Sequence, residues 1–225
     1  MTPTELASYL DYSALTPDVS EVQIDAMCDE ALELGLAAIS VAPIWVRRAK
    51  KRLLTSDVHV GTTIAFPLGN TLSKVKAHET ELVRELGADE VDMVINIAAA
   101  QANDFNAVQD DIHAVFHAAE GGLIIKVILE VGYLNETQIV GCCRAAQNAG
   151  ADYVKTSTGF GPRGATLEDV RLLRASVRLD IGVKAAGGIR DLSFAQAMIE
   201  AGATRLGTSV APALVRALAD EAAAS

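Results

Sequence analysis

One short pattern occurs four times along this chain: the end of a helix-like segment, a glycine, and then an apolar, strand-like segment. The four glycines are Gly35, Gly87, Gly150 and Gly202, at spacings of 52, 63 and 52 residues. Glycine suits the left-handed position just past a helix C-terminus, where the Cβ of another residue would clash. The repeat therefore predicts helices that end at a glycine and lead directly into a strand.

Each interval between these glycines contains one further apolar, β-branched segment, so each spacing covers two strand–helix units. One more strand precedes the first repeat. The predicted strands cover residues 8–13, 36–42, 58–65, 90–97, 123–130, 151–157, 181–186 and 203–208.

Eight strands that alternate with helices predict an α/β protein with the closed (β/α)8 architecture of a TIM barrel. No Ser/Gly/Pro-rich linker or low-complexity segment divides the chain, so residues 1–225 are predicted to form a single (β/α)8 barrel domain. An open, doubly wound sheet is the alternative fold. It usually carries a glycine-rich turn after its first strand, and none follows residue 13 or residue 42.

The helical segments have the expected apolar periodicity. Residues 18–34 are predicted to form a helix that buries one face, and Thr166 is predicted to cap another helix together with Asp169. Further helices are predicted over residues 71–86, 191–201 and 211–223. The buried face of the helix over residues 18–34 would contain Val22, Ile24, Met27, Ala31 and Leu34.

Composition excludes several functional classes. The chain has 225 residues, a formal net charge of −10 and 50% hydrophobic residues, so it is neither disordered nor a general binder of nucleic acid or anionic membranes. Its N-terminus does not resemble a secretory signal, and no apolar run is long enough to span a bilayer. Three cysteines form no disulfide framework, which favours a reducing, cytoplasmic location.

The lysines divide into two groups. Four of them, Lys50, Lys51, Lys74 and Lys76, lie in polar helical segments that require no explanation. The other three lie inside consecutive apolar strands, where an unpaired charge costs free energy. A lysine whose pKa is lowered by desolvation or by a nearby cation can attack a carbonyl and form a Schiff base. These three are Lys126, Lys155 and Lys184.

Three carboxylates accompany these lysines. Asp92 lies within its strand, and its side chain is expected to point into the barrel beside the lysines, where it could transfer protons. Asp11 and Glu130 lie at strand ends. For each of them a structural role, as the partner of a buried lysine, is as reasonable as a functional one.

Glycine-rich loops follow the last two predicted strands, where (β/α)8 barrels commonly bind phosphate. Gly187 and Gly188 follow the seventh strand, Gly207 and Ser209 lie at the end of the eighth, and Gly159 is a candidate for a third side of the site. Small residues allow backbone N–H groups to approach an anion, and a following helix N-terminus adds positive charge. His113 and His117 are four residues apart, but no third ligand suggests a metal site.

Three segments together resemble the deoxyribose-phosphate aldolase family. They are Asp152-Tyr-Val-Lys155-Thr-Ser-Thr-Gly-Phe, Val183-Lys184-Ala-Ala-Gly-Gly-Ile-Arg and Glu90-Val-Asp92-Met-Val-Ile-Asn-Ile. Phe66-Pro-Leu-Gly-Asn and Lys126-Val-Ile-Leu-Glu130 extend the match, which covers nearly the whole chain. Near the first strand the family usually reads Asp-His-Thr, whereas this chain has Asp11-Tyr12-Ser13.

The resemblance implies a class I aldolase, a lyase that reversibly cleaves 2-deoxy-D-ribose 5-phosphate to acetaldehyde and D-glyceraldehyde 3-phosphate without a metal or other cofactor. It implies that Lys155 forms the Schiff base, that Lys184 lowers the pKa of Lys155 and transfers protons, and that Asp92 donates and accepts protons. Supporting roles are implied for Asp11, Lys126, Glu130 and Thr158.

The resemblance further implies that the glycines and Ser209 hold the substrate phosphate and that the enzyme is a homodimer. The expected partner is thus a phosphorylated small molecule, with no nucleic acid and no membrane. Two alternatives remain open: another Schiff-base aldolase of the same fold, or a phosphosugar-binding barrel without catalytic activity.

Overall fold

Eight parallel strands form a closed barrel in the computed structural model, which describes residues 1–224. Each strand pairs with its neighbours in chain order, and β1 closes the ring by pairing with β8. The strands are β1 (Leu10–Ala14), β2 (Ala38–Val41), β3 (His59–Ile64), β4 (Glu90–Val94), β5 (Ile124–Ile128), β6 (Tyr153–Lys155), β7 (Gly182–Ala186) and β8 (Arg205–Thr208).

The predicted (β/α)8 barrel is confirmed, and the closed strand order excludes the open doubly wound sheet. Seven strands lie within their predicted ranges, and β1 extends one residue further, to Ala14. The surrounding helices are α1 (Pro3–Ala7), α2 (Glu21–Leu34), α3 (Val46–Leu53), α4 (Ser73–Glu85), α5 (Ile97–Gln101), α6 (Phe105–Ala119), α7 (Glu136–Asn148), α8 (Leu167–Ser176), α9 (Leu192–Glu200) and α10 (Ala211–Ala224).

The repeated glycines have the predicted backbone conformation. Gly35, Gly87, Gly150 and Gly202 have φ angles of 63°, 93°, 90° and 113°. All four lie in the region that a side chain rarely adopts, and each directly precedes the segment that enters a strand. The repeat thus marks the points at which the chain leaves the outer helical layer and returns to the barrel.

Side-chain caps fix where helices begin. The predicted box at Thr166 is present, because the Thr166 hydroxyl accepts from the Asp169 N–H and Asp169 accepts in return. The first long helix begins later than predicted, at Glu21, because Ser20 and Gln23 form the same type of box. The prediction that Val22 is buried was wrong: it is 78% exposed, on the outer side of α2.

One lysine that the sequence placed in a polar helical segment is fully buried. Lys76 on α4 donates to the Val94 carbonyl oxygen at 2.7 Å and to Asp111 on α6 at 2.5 Å. Asp111 also accepts from the Ser73 hydroxyl at 2.8 Å. Burial lowers the pKa of Lys76, and the partners compensate for the lost hydration. This ion pair therefore joins α4 and α6 behind the end of β4.

The Lys76–Asp111 pair gives a prediction for stability. Lys76→Met leaves the buried Asp111 carboxylate without its cation, so we expect the free energy of unfolding to fall by about 3–5 kcal/mol. The double variant Lys76→Met/Asp111→Leu removes both charges and should recover most of this loss. Urea denaturation measures the effect, with exposed Lys74→Met as the control. Equal stability of the single and double variants would contradict the prediction.

Candidate active site

Strand register brings the three strand lysines together inside the barrel. Lys155 pairs with Lys184 across β6 and β7, and Lys126 lies one strand away on β5. All three side chains are buried, and the backbone alternation directs their amines to the barrel interior. The structure therefore assembles the lysine cluster that the sequence predicted.

The Asp92 carboxylate on β4 is the common acceptor of this cluster. Its Oδ2 accepts from Lys155 Nζ at 2.6 Å and from Lys184 Nζ at 2.7 Å, while its Oδ1 accepts from Lys126 Nζ at 3.1 Å. Burial by itself raises the pKa of Asp92, but the charges of Lys126, Lys155 and Lys184 lower it well below the usual range. Asp92 is therefore ionised, and any proton placed on it is readily given up.

A second tier of charges lies deeper in the barrel. Asp11 accepts hydrogen bonds from Lys184 and from Arg205, the latter at 2.6 Å, so its predicted role as the partner of a buried lysine is consistent with these contacts. Glu90 accepts from Lys126, and at 3.3 Å from Arg205. Glu90 and Arg205 were not predicted as site residues from the sequence, although Glu90 is two residues from Asp92 and must share its face of β4.

The charges in this cluster do not balance while every amine is protonated. Lys126, Lys155, Lys184 and Arg205 supply four cations, whereas Asp11, Glu90 and Asp92 supply three carboxylates. Loss of one proton from an amine would make the buried cluster neutral. In a medium of low dielectric constant this favours a neutral lysine at one position.

Lys155 is the position from which the proton leaves. Desolvation lowers its pKa to about 8; Asp92 opposes this shift, while the nearby charges of Lys184 and Lys126 add to it. Lys126 behaves in the opposite way: burial lowers its pKa, but Asp92, Glu90 and Asp11 together raise it above the ordinary value. Lys155 is thus prepared to act as a nucleophile and Lys126 to remain a permanent cation.

Lys155 lines a cavity of about 590 Å³ at the C-terminal end of the barrel. The predicted phosphate-binding residues line the same cavity, which places the amine and the loops on one continuous surface. Arg190, just after the seventh-strand loop, was missed as a site residue and adds a cation to the wall. The predicted residues are Gly159, Gly187, Gly188, Gly207 and Ser209.

Glycine at position 187 permits close contact between two of these loops. Gly187 has a φ of 92°, and a Cβ built there would lie 3.0 Å from the Cα of Gly164 and 3.4 Å from that of Gly159. Ser209 lies two residues before α10, which begins at Ala211 and has no acidic side chain in its first turn. A helix N-terminus carries partial positive charge. By contrast, Asp191 caps α9 with its own carboxylate, so α10 is the better anion-binding helix.

Comparisons with known proteins identify this arrangement. A sequence model described as DeoC/LacD family aldolase matches residues 8–211. The chain belongs to this aldolase family.

Individual relatives agree with this assignment. A deoxyribose-phosphate aldolase of Streptococcus pneumoniae (serotype 19F, strain G54) is 49% identical over 94% of this chain and 96% of its own. One from Exiguobacterium sp. is 50% identical over the same shares of the two chains. The solved structure of the Aeropyrum pernix deoxyribose phosphate aldolase superposes with a TM-score of 0.91 at 30% identity, and covers 98% of this chain and 93% of that one. The predicted family, lyase class and deoxyribose-phosphate aldolase activity are confirmed.

Glu130 has a different partner from the one considered in the sequence analysis. In this aldolase it is buried and accepts from the N–H and the hydroxyl of Thr158. No lysine among residues 1–224 forms a hydrogen bond or ion pair with it. A Cβ at Gly161 would lie within 3.0 Å of its carboxylate atoms. The strand-end geometry explains the difference, because Glu130 has a left-handed backbone that directs its side chain to the loop after β6. Glu130 and Thr158 thus fix one wall of the cavity.

The departure from the family motif near β1 also lies at the cavity. Tyr12 and Ser13 both line it, and the Tyr12 hydroxyl donates to the Glu30 carboxylate at 3.2 Å. Burial and the Glu30 charge raise the pKa of Tyr12. Tyr12 therefore remains a neutral donor that connects β1 to α2 in this aldolase.

Other candidates lie outside the site. His113 and His117 lie on α6 with ring centroids 5.0 Å apart. Within residues 1–224, no group of three or more histidine, cysteine, aspartate or glutamate side chains could hold a metal ion. The three cysteines are free and buried, and burial raises the pKa of each thiol, to about 11 for Cys28 and about 12 for Cys142 and Cys143. Over the same residues, no helix has the length and apolarity to cross a membrane.

Proposed function

We propose that Lys155 forms the Schiff base through which this aldolase reversibly cleaves 2-deoxy-D-ribose 5-phosphate to acetaldehyde and D-glyceraldehyde 3-phosphate. One observation carries the assignment: among the three strand lysines, only Lys155 lines the cavity, and burial lowers the pKa of its amine to about 8. Its amine is therefore available as a nucleophile near neutral pH, at the place where substrate can enter.

The reaction begins when the neutral Lys155 amine adds to the C1 aldehyde of the open-chain sugar. Loss of water from this adduct leaves a protonated imine, which attracts electrons from the neighbouring carbon. The C2–C3 bond then breaks, its electron pair forms the enamine, and the C3 hydroxyl becomes the aldehyde of the departing glyceraldehyde 3-phosphate. The enamine carbon C2 takes up a proton, and water releases acetaldehyde and regenerates the amine.

Asp92 and Lys184 serve the proton transfers. We assign the proton of the C3 hydroxyl to the Asp92–Lys184 pair, which then returns a proton to C2 of the enamine. Because its cationic neighbours hold the pKa of Asp92 well below its usual range, a proton on this carboxylate has a strong tendency to move on. Lys126 and Asp11 support the pair, since they bind Asp92 and Lys184 respectively.

The phosphate group is proposed to bind the loops after β6, β7 and β8. Backbone N–H groups at Gly159, Gly187, Gly188 and Gly207, together with Ser209, would hold its oxygens at the α10 N-terminus. This contact is remote from the bond that breaks, so its binding energy positions C1 of the sugar beside Lys155. Glu130 and Thr158 contribute by holding the loop that carries Gly159.

The remaining assignments concern the whole molecule. We infer that residues 1–225 form one catalytic domain and that the enzyme is a cytoplasmic homodimer. The closed barrel supports a single domain. The free, buried thiols support a cytoplasmic location. Exposed apolar side chains such as Ile44, Leu68 and Leu72 offer surface for self-association, and the Aeropyrum pernix relative is described as tetrameric.

Borohydride trapping tests the central assignment. Reduction in the presence of 2-deoxy-D-ribose 5-phosphate should attach a stable adduct to the peptide that contains Lys155, as read by mass spectrometry. Lys155→Met should form no adduct and reduce cleavage to the background rate, whereas Lys184→Met should still be labelled at Lys155. No adduct on the wild-type protein, or an adduct confined to Lys184, would overturn the assignment.

The pH dependence follows from the lowered pKa of Lys155. The reactive amine is the neutral form, so kcat/KM should rise with pH and level off above about 8. Lys184→Met removes a cation that favours the neutral amine, and the acidic limb of the profile should move up by about one pH unit. Exposed Lys51→Met is the control. A profile that does not move in Lys184→Met would contradict the role of Lys184.

The phosphate site can be tested at the exposed Ser209. Ser209→Asp places a negative charge at the α10 N-terminus, so KM for the phosphorylated sugar should rise about tenfold or more because the charges repel. Ser209→Ala should have a smaller effect. The rate with unphosphorylated 2-deoxy-D-ribose provides the internal control and should change little. Equal losses with both sugars would argue against phosphate binding at this position.

A further inference from the structure

A continuous chain of charged side chains runs along the inside of the barrel and ends at a histidine on the far side. His59 Nδ1 lies 2.8 Å from Glu90 Oε1. The other oxygen of Glu90 binds Lys126, which in turn donates to Asp92 at 3.1 Å, and Asp92 accepts from Lys155 at 2.6 Å. In both carboxylates, Glu90 and Asp92, one oxygen bonds the neighbour on the His59 side of the chain and the other oxygen bonds the neighbour on the Lys155 side.

His59 is the end of this chain that meets solvent. It is the first residue of β3, at the N-terminal end of the barrel, whereas Lys155 is the last residue of β6 at the opposite end. The His59 side chain is 43% exposed, while Glu90 beside it is fully buried. A proton can therefore reach or leave the His59 ring directly from solvent, although the groups behind it are shielded from water.

A second branch connects the same histidine to the other catalytic lysine. Glu90 Oε1 also accepts from Arg205 at 3.3 Å, and Arg205 donates to Asp11 at 2.6 Å. Asp11 binds Lys184, which shares Asp92 Oδ2 with Lys155. Both branches begin at Glu90 and meet again at Asp92.

We propose that His59 is a positioning residue that acts through Glu90, and that protonation of its ring is coupled along this ionic chain to protonation of Lys155. The inference rests on the proposed role of Lys155 as the Schiff-base amine. His59 does not contact the cavity, so it influences the reaction only through charge and hydrogen bonding.

The surroundings of His59 raise the pKa of its ring above the ordinary value. The hydrogen bond to Glu90 raises the pKa of His59, burial opposes it, the charges of Glu90 and Asp89 add to it, and Arg205 opposes it. Asp89 is itself paired with Lys50 on α3 at 2.5 Å. These are the charged groups that face His59 from β8, α3 and the start of β4, and together they favour the protonated ring.

The direction of the coupling follows from the charge count. A proton on His59 adds a positive charge to a buried cluster that already holds one cation in excess, so it favours the neutral form of Lys155. Loss of that proton favours the charged form. The interaction is weakly screened, because the groups between the two ends are buried. Coupling of this kind is reciprocal, so the charge on Lys155 must shift the pKa of His59 by as much as the charge on His59 shifts the pKa of Lys155.

An NMR titration measures this reciprocity without substrate. The chain has four histidines, and His59→Gln identifies the His59 resonance. In Lys155→Met a cation is lost, so the pKa of His59 should rise by a few tenths of a unit or more. Lys184→Met removes a cation from the second branch and should also raise the pKa of His59, whereas exposed Lys51→Met should leave it unchanged. An unchanged His59 pKa in both site variants would overturn the proposal.

The activity profile gives the second readout. His59→Arg keeps a permanent cation beside Glu90, and His59→Gln keeps a hydrogen-bond donor without charge. The acidic limb of kcat/KM should therefore lie at lower pH in the Arg variant than in the Gln variant, by a few tenths of a unit. His78→Gln, on the outer surface of α4, is the control. Superposable limbs for the two His59 variants would contradict the proposal.

Schiff-base formation at Lys155 and its coupling to His59 can be refuted separately. If borohydride labels no adduct on Lys155, the proposed chemistry is wrong whatever the histidine does. If labelling occurs at Lys155 but the His59 titration does not respond to the lysine variants, the chemistry stands and the coupling is refuted.

Discussion

The structure depends on one buried carboxylate, Asp92, that accepts hydrogen bonds from three lysine amines. A lysine in the core of a barrel is unfavourable unless its charge is compensated, and a carboxylate there is equally so. Together they can be buried, and burial, aided by the charges of the neighbouring lysines, lowers the pKa of Lys155. The chemistry and the stability of the barrel interior therefore follow from the same electrostatic condition.

Much of this arrangement could be predicted from local sequence. The four glycines marked the helix-to-strand transitions, and lysines inside apolar strands were conspicuous because nothing in folding requires them there. Glu90 and Arg205 were equally charged and equally internal, but both lie at strand starts, where a charged residue normally faces water. Only closure of the barrel shows that they complete the ion pairs of Lys126 and Asp11.

Other features depended on contacts between segments far apart in the chain. Lys76 lies in a segment with the polar composition of a surface helix, and its burial follows from Asp111 on the neighbouring helix. Glu130 could not be assigned to Thr158 from spacing, because its left-handed backbone directs the carboxylate away from the lysines. The acidic net charge does not conflict with a phosphorylated substrate, since the phosphate site we propose relies on backbone N–H groups and a helix N-terminus and not on a basic surface.

Closure of the barrel between β1 and β8 has a consequence for how the chain folds. Asp11 lies near the beginning of the chain, whereas the two cations that donate hydrogen bonds to it, Lys184 and Arg205, lie in the last two strands. Until the first strand joins the last, Asp11 lacks these two donors, and Lys184 and Arg205 keep only their bonds to Asp92 and Glu90 on β4. A partly closed barrel is therefore penalised. The ionic network thus makes assembly of the barrel more nearly all-or-none, and the catalytic site exists only once the ring is complete.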